Sequence, residues 1–146
     1  MIKGIVATCI ALLAVVGVAS DAKAHANGIG AFGGHADILS QDCFSESYGG
    51  VYSSCSSAQW WEVNPPVYAT GSYWSPTAVV AGTSFGTITC GADGASSDNN
   101  SIWTATQQTQ GAGEASLTFS VWVPDLGHLL LACHMINGDN WWSVTY

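Results

Sequence analysis

Hydrophobic and polar residues alternate with a period of two along several short stretches, which is typical of strands with one buried face. The clearest stretch is Glu114–Val123, in which apolar residues alternate with Ser, Thr and Trp. Pro124 ends this predicted strand, because proline has no N–H to donate to a neighbouring strand. The side chains that should point inward lie two residues apart: Leu117, Phe119, Val121 and Val123.

Two further strands are predicted near the C-terminal end, at His128–Met135 and Trp141–Tyr146. In the last strand, strict alternation groups Trp141 with Ser143, on the polar side that also carries Thr145. Asn137–Gly138 is the strongest short signal for a two-residue hairpin turn, and it predicts that these two strands pair with each other.

The remaining predicted strands are short and evenly spaced: Gln59–Val63, Val67–Thr70, Phe85–Cys90 and Ile102–Thr106. Pro65–Pro66 separates the first two, and a polar loop, Gly91–Ser101, joins the last two. Short strands at this spacing are typical of sandwiches and barrels. We therefore predict an all-β fold, an antiparallel β-sandwich or small barrel of about seven short strands.

The first residues read as a secretory signal peptide. Lys3 supplies a positive charge, Gly4–Ala19 is apolar, and Ala22–Lys23–Ala24 fits the small-x-small pattern at a cleavage site. We predict a leader of residues 1–24, with cleavage after Ala24 or Ala26, then a Gly- and Ala-rich arm or first edge strand at 25–42 and a β domain at 43–146. The product would be secreted, to the periplasm or outside the cell, with no membrane span after cleavage.

The net charge of the chain limits the classes of partner that it can bind. The 146 residues include 2 basic and 10 acidic ones, for a formal net charge of -8. Both basic residues, Lys3 and Lys23, lie in the predicted leader. A chain without Lys or Arg has nothing to neutralise phosphates, which excludes nucleic acid as a partner.

Four cysteines remain beyond the predicted leader, and an even number in a small exported chain predicts disulfides. We expect Cys43 to pair with Cys55 and Cys90 with Cys133. No Cys-x-x-Cys occurs, so the spacing does not favour a zinc site.

Tryptophans on polar strand faces suggest a ligand. Trp122 and Trp141 both alternate with Ser or Thr, and Trp60 shares its face with Glu62. Indole faces beside hydroxyl and carboxylate groups suit sugar rings, which stack through C–H surfaces and hydrogen-bond through hydroxyls. We predict a binding module whose leading ligand class is neutral carbohydrate, as a glycan or cell-surface polymer. Its predicted ligand-binding residues are Trp60, Glu62, Trp122, Trp141 and Ser143.

The sequence does not require a cofactor, but it offers candidate ligands for two metal ions, calcium and copper. Asp93 and Asp98 lie in the predicted oxygen-rich loop, which would suit calcium. Cleavage after Ala24 would expose His25 as an N-terminal residue able to chelate copper through its amine and imidazole. This resembles the copper-binding arrangement of the lytic polysaccharide monooxygenases, and His35, His128 or His134 would supply the second imidazole.

The sequence has no His-Glu-x-x-His and no phosphate-binding loop. We therefore expect a non-catalytic protein. A structural or self-assembling exported protein is the alternative to the binding module, and the copper protein is the second alternative.

The charge pattern makes one prediction about stability. Repulsion among carboxylates should weaken as they begin to protonate, since no ammonium or guanidinium balances them beyond the predicted leader. We expect the melting temperature to hold or rise as the pH falls from neutral to mildly acidic. Thermal melts across that range measure it, and a steady loss of stability would contradict the prediction.

Overall fold

The structure, a computed structural model, describes residues 28–31, 34–36, 41–67, 71–84, 86–105 and 107–146. The predicted leader and His25 lie outside the described residues. No helix in the described part of the chain has the length and hydropathy needed to cross a bilayer.

The predicted fold class is confirmed: every strand pair is antiparallel, and the sheets form a β-sandwich. The strands in chain order are β1 (Gly28–Gly30), β2 (His35–Ala36), β3 (Phe44–Ser47), β4 (Gly50–Ser53), β5 (Gln59–Val63), β6 (Ser72–Trp74), β7 (Thr77–Gly82), β8 (Ile88–Ala95), β9 (Ile102–Thr104), β10 (Gln108–Gln110), β11 (Gly113–Thr118), β12 (Val121–Val123), β13 (His128–Met135) and β14 (Asn140–Thr145). Several have only two to four residues, too few to show alternation in the sequence.

Two six-stranded sheets make up the sandwich. Sheet 1 has the order β11-β7-β14-β4-β3, with β1 also paired to β14. Sheet 2 has the order β10-β8-β13-β5-β2, with β9 also paired to β8. A two-stranded ribbon of β6 and β12 packs against β8, where a Cβ on Gly94 would collide with the backbone carbonyl of Trp122.

The core lies between the two sheets and is filled by alternate residues of the long strands. In β13, buried residues alternate strictly with half-buried ones, as the sequence predicts. Both predicted disulfides are present, Cys43–Cys55 and Cys90–Cys133. The second joins directly opposed residues of β8 and β13 within the core. In the chain-entropy model it stabilises the fold by about 4 kcal/mol, because it closes the longer loop.

The described part of the predicted arm forms edge strands on both sheets. β1 pairs with β14 of sheet 1, and β2 pairs with β5 of sheet 2. Between them, the carbonyl oxygen of Ala31 accepts a hydrogen bond from the buried indole N–H of Trp61 at 2.9 Å. The arm therefore covers a side chain of the core.

Several sequence-based boundaries are wrong, and two of them matter most for the fold. The predicted strand Glu114–Val123 is interrupted after Thr118: β11 pairs with β7 in sheet 1, while β12 pairs with β6 in the ribbon. Its four predicted inward residues are nevertheless all buried. The predicted polar loop Gly91–Ser101 begins inside β8, since small residues there fit between neighbouring strands.

The turn at Asn137–Gly138 is present, with Gly138 at a φ of 91°, but it does not make the predicted hairpin. β13 belongs to sheet 2 and β14 to sheet 1, so the turn crosses between the sheets. Asp139 fixes this crossing. Its buried carboxylate accepts hydrogen bonds from the backbone N–H of Thr83 at 3.0 Å and of Ile136 at 2.9 Å. These bonds direct the chain across the sandwich.

Replacing Asp139 should therefore be costly. Asp139→Ala leaves two backbone N–H groups without acceptors, and we expect the free energy of unfolding to fall by about 2–4 kcal/mol. Asp139→Asn keeps one acceptor oxygen and should lose less. Chemical denaturation measures both variants.

Asp98→Ala is the matched control, because Asp98 also accepts backbone and side-chain hydrogen bonds but is exposed. Equal stability losses in Asp98→Ala and Asp139→Ala would show that the buried carboxylate has no special role.

Candidate functional site

The outward side chains of sheet 2 form rows that run across its strands. In the central row, Glu62 of β5 lies opposite Ala132 of β13, which lies opposite Gly91 of β8. The next row pairs Trp60 with His134, and the row on the other side places Leu130 beside Asp93. All of these residues alternate with the buried positions of their strands and so face away from the core.

Small residues at the centre of these rows leave a depression. Ala132 and Gly91 are neighbours, so nothing larger than a methyl group fills the middle of the central row. Beyond Gly91 lies Gln107, whose Cγ would be 3.3 Å from a Cβ at position 91. The result is a cavity of about 270 Å³. Its lining residues are Trp60, Glu62, Gly91, Asp93, Thr104, Gln107, Leu130 and Ala132.

Trp60 supplies the aromatic wall. Its side chain remains 37% exposed, although the indole stacks on the imidazole of His134 with ring centroids 4.8 Å apart and planes inclined by 26°. Trp61, the next residue, points into the core and is 5% exposed. Because side chains alternate along the strand, Trp61 packs in the core while Trp60 remains accessible at the surface.

Carboxylates stand on two sides of the cavity. Glu62 Oε2 lies 3.6 Å from Nε2 of His35, and both side chains are well exposed to solvent. Asp93 stands two strands away on β8, and its Oδ1 is buried but accepts no hydrogen bond from any described residue. Thr104, directly opposite Asp93 on β9, adds a hydroxyl group.

The structure therefore brings together three residues that the sequence singled out separately. Trp60 and Glu62, predicted for sugar binding, line the same cavity as Asp93, predicted for calcium. His35, predicted as a copper ligand, lies beside Glu62.

Trp141 and Ser143 are not part of this site, and the prediction of a surface-exposed Trp141 is wrong. The ring is completely buried, and its indole N–H donates to the backbone carbonyl of Ser143 at 3.1 Å. The cause is a shift of register: Trp141 pairs with Val80 and Ser143 with Val79, so Trp142 is an extra residue in β14. Such a bulge reverses the alternation that the sequence predicts.

Trp122 lies apart from the cavity, on the ribbon. It is half-buried, and its ring meets that of Tyr73 edge to face at a centroid distance of 5.3 Å. Tyr73 is 72% exposed. The pair forms a second aromatic surface, with neither ring among the residues that line the cavity.

The two residues of the predicted calcium loop, Asp93 and Asp98, lie in different elements. Asp93 lies in β8, whereas Asp98 lies in the turn that follows and is bonded within it. Hydrogen bonds from the Ser96 hydroxyl and from the backbone and side-chain N–H groups of Asn100 hold the pKa of Asp98 below its ordinary value of 3.8. Because that pKa is lowered, the turn loses this stabilisation only as the pH falls through the lowered value.

The described residues contain no group of three or more His, Cys, Asp or Glu side chains placed to hold an ion, and calcium binding stays a prediction. The copper hypothesis depends on His25, which lies outside the described residues, and it stays a prediction. His128 and His134 both lie on β13, and His134 stacks on Trp60.

Several cavity residues were not singled out in the sequence. Leu130 and Ala132 occupy outward positions of β13, so the alternation of that strand carried the signal. No local sequence signal marked the other lining residues, Gly91, Thr104 and Gln107, because their positions depend on how β8, β9 and β10 pair.

Comparison with known proteins supports the fold. The chain is similar to the solved structure of BiXyn10A CBM1 in its apo form, with a TM-score of 0.53 and 12% identity over 82% of this chain and 94% of that one. It is also similar to the carbohydrate-binding module CBM6cm-2 from Cellvibrio mixtus lichenase 5A in complex with cellotriose, with a TM-score of 0.47, 12% identity and the same two coverages, 82% and 94%.

No protein-family model matches the sequence, and no curated protein is similar to it. The likeness is therefore one of fold. This chain shares the β-sandwich fold of BiXyn10A CBM1.

Proposed function

We propose that the protein is an exported, non-catalytic module that binds carbohydrate in the cavity of sheet 2. The observation that carries the proposal is the placement of Trp60. Its exposed indole forms one wall of a cavity whose other walls are mostly polar. Sites for small ligands generally combine an apolar surface with a few fixed polar groups.

A sugar ring would use both kinds of wall. Its C–H face would stack on Trp60, whose orientation is held from the other side by His134. Its hydroxyls would donate to the carboxylates of Glu62 and Asp93 and exchange hydrogen bonds with Thr104 and Gln107. The indole of Trp60 and the polar side chains all lie on strands or next to them. Binding therefore requires little loss of side-chain and backbone freedom in the protein.

The fold and the covalent framework agree with this function. The β-sandwich resembles that of BiXyn10A CBM1. Two disulfides in a small domain are typical of proteins from oxidising compartments. We propose that residues 1–24 direct the chain out of the cytoplasm and that the mature module meets a glycan or cell-surface polymer there.

Trp60→Ala tests the site. Removing the stacking surface should lower the affinity for a neutral glycan identified on a glycan array by about 30-fold, or ~2 kcal/mol, as for other aromatic anchors. The melting temperature should change little, because the ring is partly exposed. Calorimetric titration and a thermal melt measure the two quantities.

Trp103→Ala is the matched control, because Trp103 is 39% exposed, close to the 37% of Trp60, and does not line the cavity. It should keep the parental affinity. Equal weakening by both substitutions would contradict a site at Trp60.

Trp122→Ala decides between the two aromatic surfaces. We place the ligand in the cavity, so this variant should bind as the parent protein does. Loss of binding in Trp122→Ala together with normal binding in Trp60→Ala would move the site to the Trp122–Tyr73 pair on the ribbon.

A further inference from the structure

The cavity of sheet 2 carries an uncompensated negative charge. Glu62 and Asp93 both line it, and the sequence has no Lys or Arg beyond Lys23. The one cationic group placed beside either carboxylate by the described residues is the imidazole of His35, 3.6 Å from Glu62, and it is charged only when protonated. Asp93 has no such neighbour, since it lies between Leu130 and Thr104 in its row.

Asp93 also has an unused acceptor. Its Oδ1 is buried, and no described residue donates a hydrogen bond to it. A buried carboxylate oxygen without a donor is costly, so the protein gains when a ligand supplies one. An ammonium group carries three donors and no acceptor, whereas a hydroxyl carries one donor and two acceptor lone pairs.

The aromatic wall favours the same chemistry. A cation within about 6 Å of an indole face is attracted by the negative charge of the ring face. Trp60 lines the border of the cavity, on the same face of β5 as Glu62. Acidic sugars meet the opposite situation, because their carboxylate or sulfate groups would enter a negative cavity without any fixed cation.

We propose that this cavity selects amino sugars with a free, protonated amine, such as the β-1,4-linked polymer of glucosamine, over neutral and acidic glycans of the same shape. This inference rests on the proposed function, which places a sugar ring against Trp60. The amine of that ring donates to Asp93, and the charge of the pair raises the affinity above that of the matching neutral sugar.

Three trisaccharides with the same β-1,4 linkage test the proposal. Cellotriose, the glucosamine trimer and the N-acetylglucosamine trimer differ at C2, which carries a hydroxyl, an ammonium or an acetamide group. Calorimetric titrations of the mature protein at mildly acidic pH and low salt should show the glucosamine trimer binding about tenfold more tightly than cellotriose. The difference should shrink as salt is added, because salt screens the charge pair.

Asp93→Asn should remove most of this preference, because it should lower the affinity for the glucosamine trimer more than the affinity for cellotriose. Asp125→Asn is the matched control, since Asp125 is an exposed aspartate that does not line the cavity, and it should keep the preference. Should Asp93→Asn fail to fold, Glu62→Gln provides the second carboxylate variant and should reduce the preference as well.

The outcomes separate the two proposals. Equal binding of cellotriose and the glucosamine trimer overturns the preference for amines but leaves carbohydrate binding intact. Persistence of the full preference in Asp93→Asn and Glu62→Gln also overturns it. If spermidine, an amine without a sugar ring, competes as well as the glucosamine trimer, the site does not recognise sugar, and both proposals fail. If the protein binds none of the three trimers, the inference is overturned too. If it also binds no neutral glycan on an array, the proposed function is contradicted as well.

Discussion

The pairing of β8 with β13 is the constraint on which the rest of the structure depends. Cys90 and Cys133 are directly opposed and joined by a disulfide, which fixes the register of the two longest strands. A slip of one residue would exchange the faces of a strand. In the observed register the cysteines, Leu129 and Leu131 point into the core, while Gly91 and Ala132 meet on the outside and leave the cavity between them.

A chain without Lys or Arg beyond its first 23 residues must stabilise its carboxylates in other ways. Asp139 is buried and held by two backbone N–H groups, and Asp98 is held by the hydrogen bonds of its own turn. Disulfides and an alternating core supply the stability that ion pairs give elsewhere. Asp93 is different, because its buried oxygen has no donor among the described residues. This contrast marks Asp93 as the carboxylate that a ligand would satisfy.

The sequence was sufficient where a signal is local. Local sequence patterns predicted the bounds of β5 and β13 to the residue, and the even number of cysteines predicted two bridges. Local patterns gave wrong predictions where the pairing of strands determines which way a side chain points. The extra residue Trp142 sends Trp141 into the core, and the turn at Gly138 joins two sheets instead of closing a hairpin. The sequence predicted only part of the candidate site. Trp60 and Glu62 lie on one strand, but the other lining residues come from strands whose order in the sheet cannot be predicted from local patterns.

Backbone amide shifts provide the most direct test of a glycan site on the outer face of sheet 2. Nitrogen-15-labelled mature protein would be titrated with cellotriose and its amide and indole N–H resonances followed. We expect the largest shifts on Gly91, Ala132 and the indole of Trp60, with little change in the ribbon. Shifts centred on Tyr73 and Trp122, with sheet 2 unaffected, would contradict this expectation.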